Sequence, residues 1–279
     1  ATLEITLQGP RLEFEADTLI AICGADLSPS IAGVAVPEGR PVLIRKGAEL
    51  DFGVCRSGCR AYLAVQGGFT VAPVMGSRST YEPARLGGWQ GRALHSGDRL
   101  PIGAASRPMY PGLAAELANA ARDFVFPKWS VNQHNEKISR SPQMIRIVSG
   151  RHWDEFPAPS REVLTGTEFR VGVDSNRMGY RLTGPQVGIE SLRAMVSEAV
   201  TFGTIQVPQG GQPILLMADR QTVGGYPKVA EVAGVDLHLA AQLKPGDSLR
   251  FELVSLAQSQ ALWLKRELEF MTISEAIEK

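Results

Sequence analysis

The sequence predicts a mainly β protein with few helices, organised as two β domains, and three observations carry that prediction. Short apolar or alternating segments recur with turn signals at a spacing of about 8 to 12 residues, the rhythm of a barrel or sandwich rather than of a βαβ fold. The chain holds 29 Gly and 18 Pro, which suits many short strands joined by turns. Its 279 residues, 44% of them hydrophobic, can bury one large core or two ordinary ones, and the usual domain size favours two.

In chain order, Leu3, Ile5 and Leu7 alternate with polar neighbours, and Leu19 to Cys23 is a compact apolar run stopped by Gly24. Both read as strands. The pattern continues at Pro41 to Ile44, Glu49 to Phe52 and Ala61 to Val65, broken by Lys46-Gly47 and Ser57-Gly58. A helix is predicted from Pro111 to Phe124, where Leu113, Leu117, Ala120, Ala121 and Phe124 share a face and Pro111 suits a helix start. Between Gly103 and Ser141 the strand rhythm lapses, ending in Lys137-Ile-Ser-Arg-Ser-Pro142. The expected layout is therefore a first β domain over 1–105, a linker with a helix over 106–142, and a second β domain over 143–279. The second contains strands at Met144 to Val148 and Ser248 to Val254. It closes with a helix from Ser255 to Glu278, for which Leu256, Leu262, Leu264, Leu268 and Met271 supply an apolar stripe. Two echoes, Val36 to Leu43 with Val207 to Leu215 and Ser96 to Leu100 with Pro245 to Leu249, are compatible with duplicated halves. They do not share one period, so repeated turn chemistry is the competing reading.

Lys+Arg and Asp+Glu are equal at 29 each, which gives no electrostatic reason to expect nucleic acid or an anionic membrane as partner. No apolar run approaches the ~20 residues of a membrane helix. Cys23, Cys55 and Cys59 are odd in number and follow no leader-like start, so a reducing cytoplasmic setting is expected rather than a disulfide scaffold. Cys55 and Cys59 lack a second ligand pair, and His95, His134, His152 and His238 are widely spaced, so no metal site is expected.

The segment Met217 to Lys228 concentrates the chemistry: Asp219, Gln221, Thr222, Gly224, Gly225, Tyr226 and Lys228 follow the apolar run Ile214-Leu215-Leu216. A strand that ends in a Gly-Gly turn can hold polar groups close to a ligand, because glycine lets backbone approach it. The same residues also describe an ordinary hairpin loop, with Pro227 fixing φ and Lys228 in solvent. Two further clusters carry arginine. Gly76 to Tyr81 and Gly87 to Arg92 place Arg78 and Arg92 in a glycine-rich loop that could cradle a carboxylate or phosphate, although neither a Walker loop nor a dinucleotide fingerprint is present. Ser175-Asn-Arg-Met-Gly-Tyr-Arg-Leu182 reads as an anion clamp through Arg177 or as a turn with solvated arginines, and Glu198 and Gln206 lie on the way to Asp219.

Taken together, Ser175 to Leu182, Ser197-Glu198, Gly203-Thr-Ile-Gln-Val-Pro208, Gly211 to Ile214, Ala218 to Thr222, Gly224 to Lys228, Ala241 to Leu243 and Pro245 to Asp247 resemble, in order, the biotin-dependent carboxyltransferase family. Leu3 to Thr6, Gly24 to Asp26, Tyr62 to Val65, Gly67-Gly68, Pro73 to Ser77 and Gly88 to Arg92 extend the resemblance over nearly the whole chain. That family includes the C subunit of bacterial 5-oxoprolinase, a second subunit once called allophanate hydrolase, the Kip antagonist of sporulation control, and the carboxyltransferase region of urea carboxylase. Members carry a further N-terminal segment with a Thr-Val-Gln-Asp-x-Gly-Arg-like stretch, and the match here starts at Ala1; activities that need that stretch are expected to require it.

The resemblance implies two cyclophilin-like β-barrel domains, a B-type partner subunit related to the Kip kinase inhibitor, an A-type partner subunit, and a small amide or lactam substrate. It implies ATP-dependent opening of 5-oxoproline, with ATP bound by the complex or by this chain. The sister reading is carboxyl transfer from carboxybiotin to an amide such as urea, with biotin supplied in trans because no biotinylation segment occurs here. A third reading is a non-catalytic regulator that binds a Kip-type inhibitor. For the first two, Asp219, Lys228, Glu198 and Tyr226 are the expected catalytic groups. Arg177, Arg78, Gln206, Gln221, Thr222, Gly224, Gly225 and Ser175 are the expected substrate-binding groups. Prolyl isomerisation does not follow from a cyclophilin-like fold, since fold does not carry function.

Overall fold

The computed structural model describes residues 1–105, 111–131, 141–189 and 195–278. The run 137–140 at the expected boundary lies outside them. The chain divides into two compact units, Ala1–Asn135 and Glu136–Lys279. It is mostly β, with four α-helices among the described residues, none of which is long and apolar enough to cross a membrane.

In the first unit the strands are β1 (Leu3–Thr6), β2 (Arg11–Glu13), β3 (Thr18–Asp26), β4 (Ser30–Ile31), β5 (Val34–Ala35), β6 (Pro41–Ile44), β7 (Glu49–Asp51), β8 (Ser57–Val65) and, after helix α1 (Pro111–Asn119), β9 (Phe124–Val125). They form a five-stranded sheet ordered β1-β8-β3-β6-β9 and a four-stranded sheet ordered β2-β7-β4-β5. Alternation explains the core: Ile20 and Ile22 of β3 and Leu63 and Val65 of β8 are buried with Ile5, Leu50 and Phe124.

The helix expected over Pro111 to Phe124 stops at Asn119, and Phe124 belongs to a strand instead, paired with Ile44. The stop is chemical. The Arg45 guanidinium donates to the Leu117 and Ala120 carbonyls, the orphan acceptors of a helix C-terminus, while the Arg45 N–H donates to the Asp123 carbonyl and draws the chain into the sheet. Rather than lying in a linker, the helix buries Leu113 and Leu117 against Leu43 and Val125 of this unit.

Beside β3, Glu38 has one carboxylate oxygen buried without a hydrogen-bond partner among the described residues. Burial first, and the Asp26 carboxylate second, push Glu38 up to about 7 from 4.5. A carboxyl raised in the folded state is protonated there while the unfolded chain is already ionised, so stability falls as pH climbs from about 4.5 to about 7 and stays lower above. Glu38→Gln is expected to flatten that slope and to raise the unfolding midpoint above pH 7, read by urea titrations between pH 5 and 8. A parallel pH dependence in parent and variant would contradict this.

The second unit contains β10 (Gln143–Ser149), α2 (Ala158–Gly166), β11 (Glu168–Val171), β12 (Gly179–Thr183), β13 (Glu198–Ala199), β14 (Thr204–Gln206), β15 (Ile214–Leu216), β16 (Val223–Gly224), β17 (Lys228–Val232), α3 (Leu237–Ala241), β18 (Ser248–Leu253) and α4 (Leu256–Glu278). Seven strands close into a barrel in the order β10-β17-β14-β15-β12-β11-β18, sealed by the parallel pair β10 and β18. Ile145, Ile147, Phe169, Ile205, Leu215, Val229 and Phe251 fill it. The remaining strands, β13 and β16, form a separate two-stranded ribbon.

Helix α4 departs from expectation in its burial. Leu256, Leu264, Leu268 and Met271 of the predicted stripe are exposed within this unit. The helix is anchored instead by Trp263, packed so closely on Gly234 that a Cβ there would sit 2.7 Å from its ring, and by Arg266, which stacks on Trp263 and donates to the Gly234 and Val235 carbonyls.

The second sequence echo proves to be an echo of turn chemistry. In His95–Asp98 and Lys244–Asp247 alike, a positive-φ glycine (Gly97, Gly246) precedes an Asp whose N–H bonds the first residue's carbonyl and whose carboxylate accepts that residue's N–H.

Candidate functional site

The site arises from an irregularity in the barrel wall. Ile205 points into the core, so its neighbours Thr204 and Gln206 point outward. Across the ladder Thr204 opposes Glu231, Ile205 opposes Ala230, and Gln206 opposes Lys228, so β17 carries one extra residue, a bulge. Without it Lys228 and Glu231, three residues apart, would face opposite sides; with it both share the outer face with Thr204 and Gln206. Outer barrel faces are usually solvated, yet Thr204, Gln206 and Lys228 are 0%, 1% and 6% exposed. The cover is the ribbon. Gly224 pairs with Glu198 across it, and a Cβ on Gly224 would stand 2.7 Å from Gln206 Nε2.

A buried ammonium needs compensation. Lys228 Nζ lies 2.7 Å from Glu198 Oε2 and donates to the Ala199 carbonyl at 3.0 Å. The bonded ammonium holds the Glu198 carboxyl below its usual range, with Arg151, 3.7 Å from Glu198 Oε1, adding to the effect. The backbone of Lys228 is fixed just as firmly. Its N–H donates to His152 Nδ1, which leaves the neutral ring proton on Nε2, and its carbonyl accepts from the His152 N–H. Gly150 passes so close that a Cβ there would be 2.5 Å from the Lys228 carbonyl oxygen.

Glu231, on the same strand, accepts from the Thr204 hydroxyl through both oxygens and from the Thr201 hydroxyl at 3.0 Å. Burial raises its carboxyl, opposed by the two hydroxyls and by Lys228. Gln206 Nε2 donates to the Tyr226 carbonyl, and the Tyr226 ring is half exposed at the rim.

Of the residues expected from sequence, Lys228, Glu198, Gln206, Gly224 and Tyr226 thus come together. Gly225 follows in the same turn, near the Ser197 hydroxyl. Gln221 and Thr222 are exposed beside the ribbon, the Thr222 carbonyl accepting from the Val200 N–H. Arg177 and Asp219 do not take the separate roles of carboxylate clamp and proton carrier. The guanidinium grips the carboxylate through two nitrogens, at 2.8 and 3.2 Å, and the Asp219 N–H bonds the Arg177 carbonyl, so each occupies the other. Ser175 is likewise spent, accepting the Arg181 N–H. Arg78 belongs to the first unit, where its Nε donates to the Val71 carbonyl. In the same loop Arg92 is bound by Asp98, whose carboxyl the pairing and the His95 N–H hold well below the usual range.

Sequence reasoning missed Arg151, His152, Thr201, Thr204 and Glu231. No local spacing announces them, since each reaches Lys228 or its neighbours through a ladder or a chain reversal. The bulge itself left only the weak sign of Lys228 and Glu231 in one short strand.

Gly224→Ala keeps an allowed backbone but drives a methyl into Gln206 Nε2. Any activity that uses the Gln206 amide is expected to fall about 10- to 100-fold with little change in unfolding midpoint, since misplacing one positioned group by an ångström has that effect. Steady-state kinetics beside a thermal melt check it, and parent-like turnover would show that Gln206 needs no fixed place.

Comparison with known proteins agrees with this architecture. Residues 1–253 match the model for the carboxyltransferase domain, subdomain A and B. The chain is 35% identical over 257 residues to the C subunit of 5-oxoprolinase from Escherichia coli (strain K12), covering 92% of this chain and 76% of that protein. It is 31% identical over 281 residues to the C subunit of 5-oxoprolinase from Haemophilus influenzae, covering 99% and 82%. The crystal structure of the K. lactis urea amidolyase aligns with a TM-score of 0.75 at 29% identity, over 93% of this chain but only 16% of that much longer one. These relatives are components of enzymes. On the match of residues 1–253 and identities above 30% over most of its length, the chain belongs to the carboxyltransferase domain family, subdomains A and B.

Proposed function

We propose that the chain is the C-type component of an ATP-dependent 5-oxoprolinase, opening the lactam of 5-oxoproline to glutamate together with B-type and A-type partner subunits. The observation that carries the reading is the buried Lys228, fixed by backbone and by Glu198 beneath a ribbon that brings Gln206, Gly224, Gly225 and Tyr226 beside it. The 5-oxoprolinase relatives, which match most of their own length as well as of this chain, select the substrate.

A lactam carbonyl is a poor electrophile. Transfer of the ATP γ-phosphoryl group to the lactam oxygen makes it a good one; water then adds to the carbonyl carbon, the C–N bond breaks with the nitrogen taking up a proton to leave an acyl phosphate, and a second water hydrolyses that acyl phosphate to glutamate and phosphate. Lys228 and the Gly224 and Gly225 amides stabilise the negative charge that develops on oxygen. Glu198, kept ionised by Lys228, accepts the proton of the attacking water. Gln206 and Tyr226 bond the amide edge. ATP is assigned to the assembled enzyme, and no group of this chain is assigned to it.

The urea amidolyase likeness supports a second reading, carboxyl transfer to an amide nitrogen from a biotin carried on another chain. Avidin separates the two. ATP-dependent formation of glutamate by the assembled enzyme is expected to be unaffected by excess avidin, and inhibition by avidin would move the assignment to carboxyl transfer.

A further inference from the structure

The counter-charges of Lys228 stand on unequal supports. Both polar contacts of its Nζ among the described residues are made to the ribbon, to Glu198 Oε2 and to the Ala199 carbonyl. That ribbon pairs only two residues per strand, Glu198 with Gly224 and Ala199 with Val223. A two-stranded pairing of that size is marginal without help. Were Glu198 to turn toward a substrate, the buried ammonium would keep the Ala199 carbonyl but lose its ribbon-borne counter-charge, a costly state.

The barrel wall supplies a second carboxylate on a rigid support. Glu231 lies on β17 itself, on the same outer face as Lys228 because of the bulge, and is paired through the ladder with Thr204. Its two oxygens are clamped, Oε1 by the Thr204 hydroxyl at 3.0 Å and Oε2 by the Thr204 and Thr201 hydroxyls at 2.9 and 3.0 Å. The Thr201 N–H in turn bonds Thr204 Oγ1, which locks the pair of hydroxyls. Burial raises the Glu231 carboxyl, and the two hydroxyls and Lys228, its charged neighbour on the same face of the same strand, oppose that rise.

We propose that Glu231 is a positioning residue for the Lys228 site, a scaffold-borne counter-charge, clamped by Thr201 and Thr204, that keeps the ammonium in place while ribbon-borne Glu198 engages the substrate. Glu231 touches no reacting atom in this arrangement and acts through Lys228. The inference rests on the oxoprolinase reading for what the site does, but not for how Lys228 is held.

The test uses a reagent rather than the reaction. In the full chain, limiting sulfo-N-hydroxysuccinimide acetate acylates each lysine at a rate read by peptide mass mapping, with exposed Lys265 as internal reference. Glu231→Gln is expected to raise the Lys228 rate about fivefold or more relative to Lys265, Thr204→Val to raise it in the same direction, and Glu231→Asp to give an intermediate value. In the assembled enzyme Glu231→Gln is expected to lower kcat about tenfold with KM within about twofold, because the lost positioning is felt in the transition state. A fall in the unfolding midpoint of Glu231→Gln large enough to expose the half-buried Lys244 as well would show general loosening and overturn the specific role, as would a Lys228 rate within about twofold of the parent in Glu231→Gln and Thr204→Val. If the parent complex failed to consume 5-oxoproline, the functional reading would fall while the acylation series would still decide the role of Glu231.

Discussion

Replacing Lys228 by alanine is expected to lower 5-oxoproline turnover by the assembled enzyme about 100- to 1,000-fold, the usual effect of removing one preorganised donor from a developing oxyanion. Lys228 is the only buried lysine among the described residues, and everything around it serves its placement: the bulge that turns it outward, the two backbone bonds to His152, and Glu198 at 2.7 Å. Alanine also leaves Glu198 without its bonded cation and Glu231 without its charged neighbour on the same strand, so some stability is expected to go with the activity. Lys228→Met separates the two effects, since it keeps most of the length of the side chain and removes the charge. It should lose turnover as fully as alanine while melting closer to the parent. Turnover within about threefold of the parent in both variants would remove Lys228 from the site.

The second large effect concerns stability. Asp236 is 1% exposed and accepts three bonds from one residue, the backbone N–H, Nε and Nη2 of Arg146, joining the turn before α3 to strand β10. Breaking a buried pair by removing one partner leaves the other uncompensated, and Asp236→Ala is expected to cost about 3–5 kcal/mol of the stability of the second unit. Arg146, about a quarter exposed, regains part of its hydration, which places the expectation at the lower end of that range. Urea unfolding followed by a probe in the second unit, such as Trp153 or Trp263 fluorescence, measures it. A loss below about 1 kcal/mol would mean that the pair is no more than a surface contact.

Most of the fold was legible because the signals were local. The alternation of Leu3 and Ile5, the apolar run around Leu19 to Cys23 and the Pro41 to Ile44 segment fall within observed strands, but the expected breaks at Gly24 and Ser57-Gly58 do not end them: β3 runs through Gly24 to Asp26 with a register shift there, and β8 begins at Ser57. What escaped depended on distant partners. Phe124 fits the helical face of Leu113 and Leu117 by spacing alone, and only the hydrogen bonds of Arg45, far away in the sequence, make it a strand residue. The α4 stripe satisfied the helical period, yet period says nothing about whether another surface covers it. In the site, the Asp219 to Lys228 segment stood out through its own composition, whereas Glu231 was hidden in a strand whose simple alternation puts it on the face opposite Lys228. A single bulge reverses that geometry. The pairing of Arg177 with Asp219 was hidden for the same reason, because two residues 42 apart reveal their bond only once β12 and β15 lie side by side.

ATP-dependent loss of 5-oxoproline by the protein assembled with the proposed A-type and B-type subunits, measured with each component omitted in turn, tests the oxoprolinase assignment most directly. The predicted result is stoichiometric conversion to glutamate that vanishes when this chain is left out. Conversion that proceeds at the full rate without this chain, or a stable complex that converts none, would contradict it.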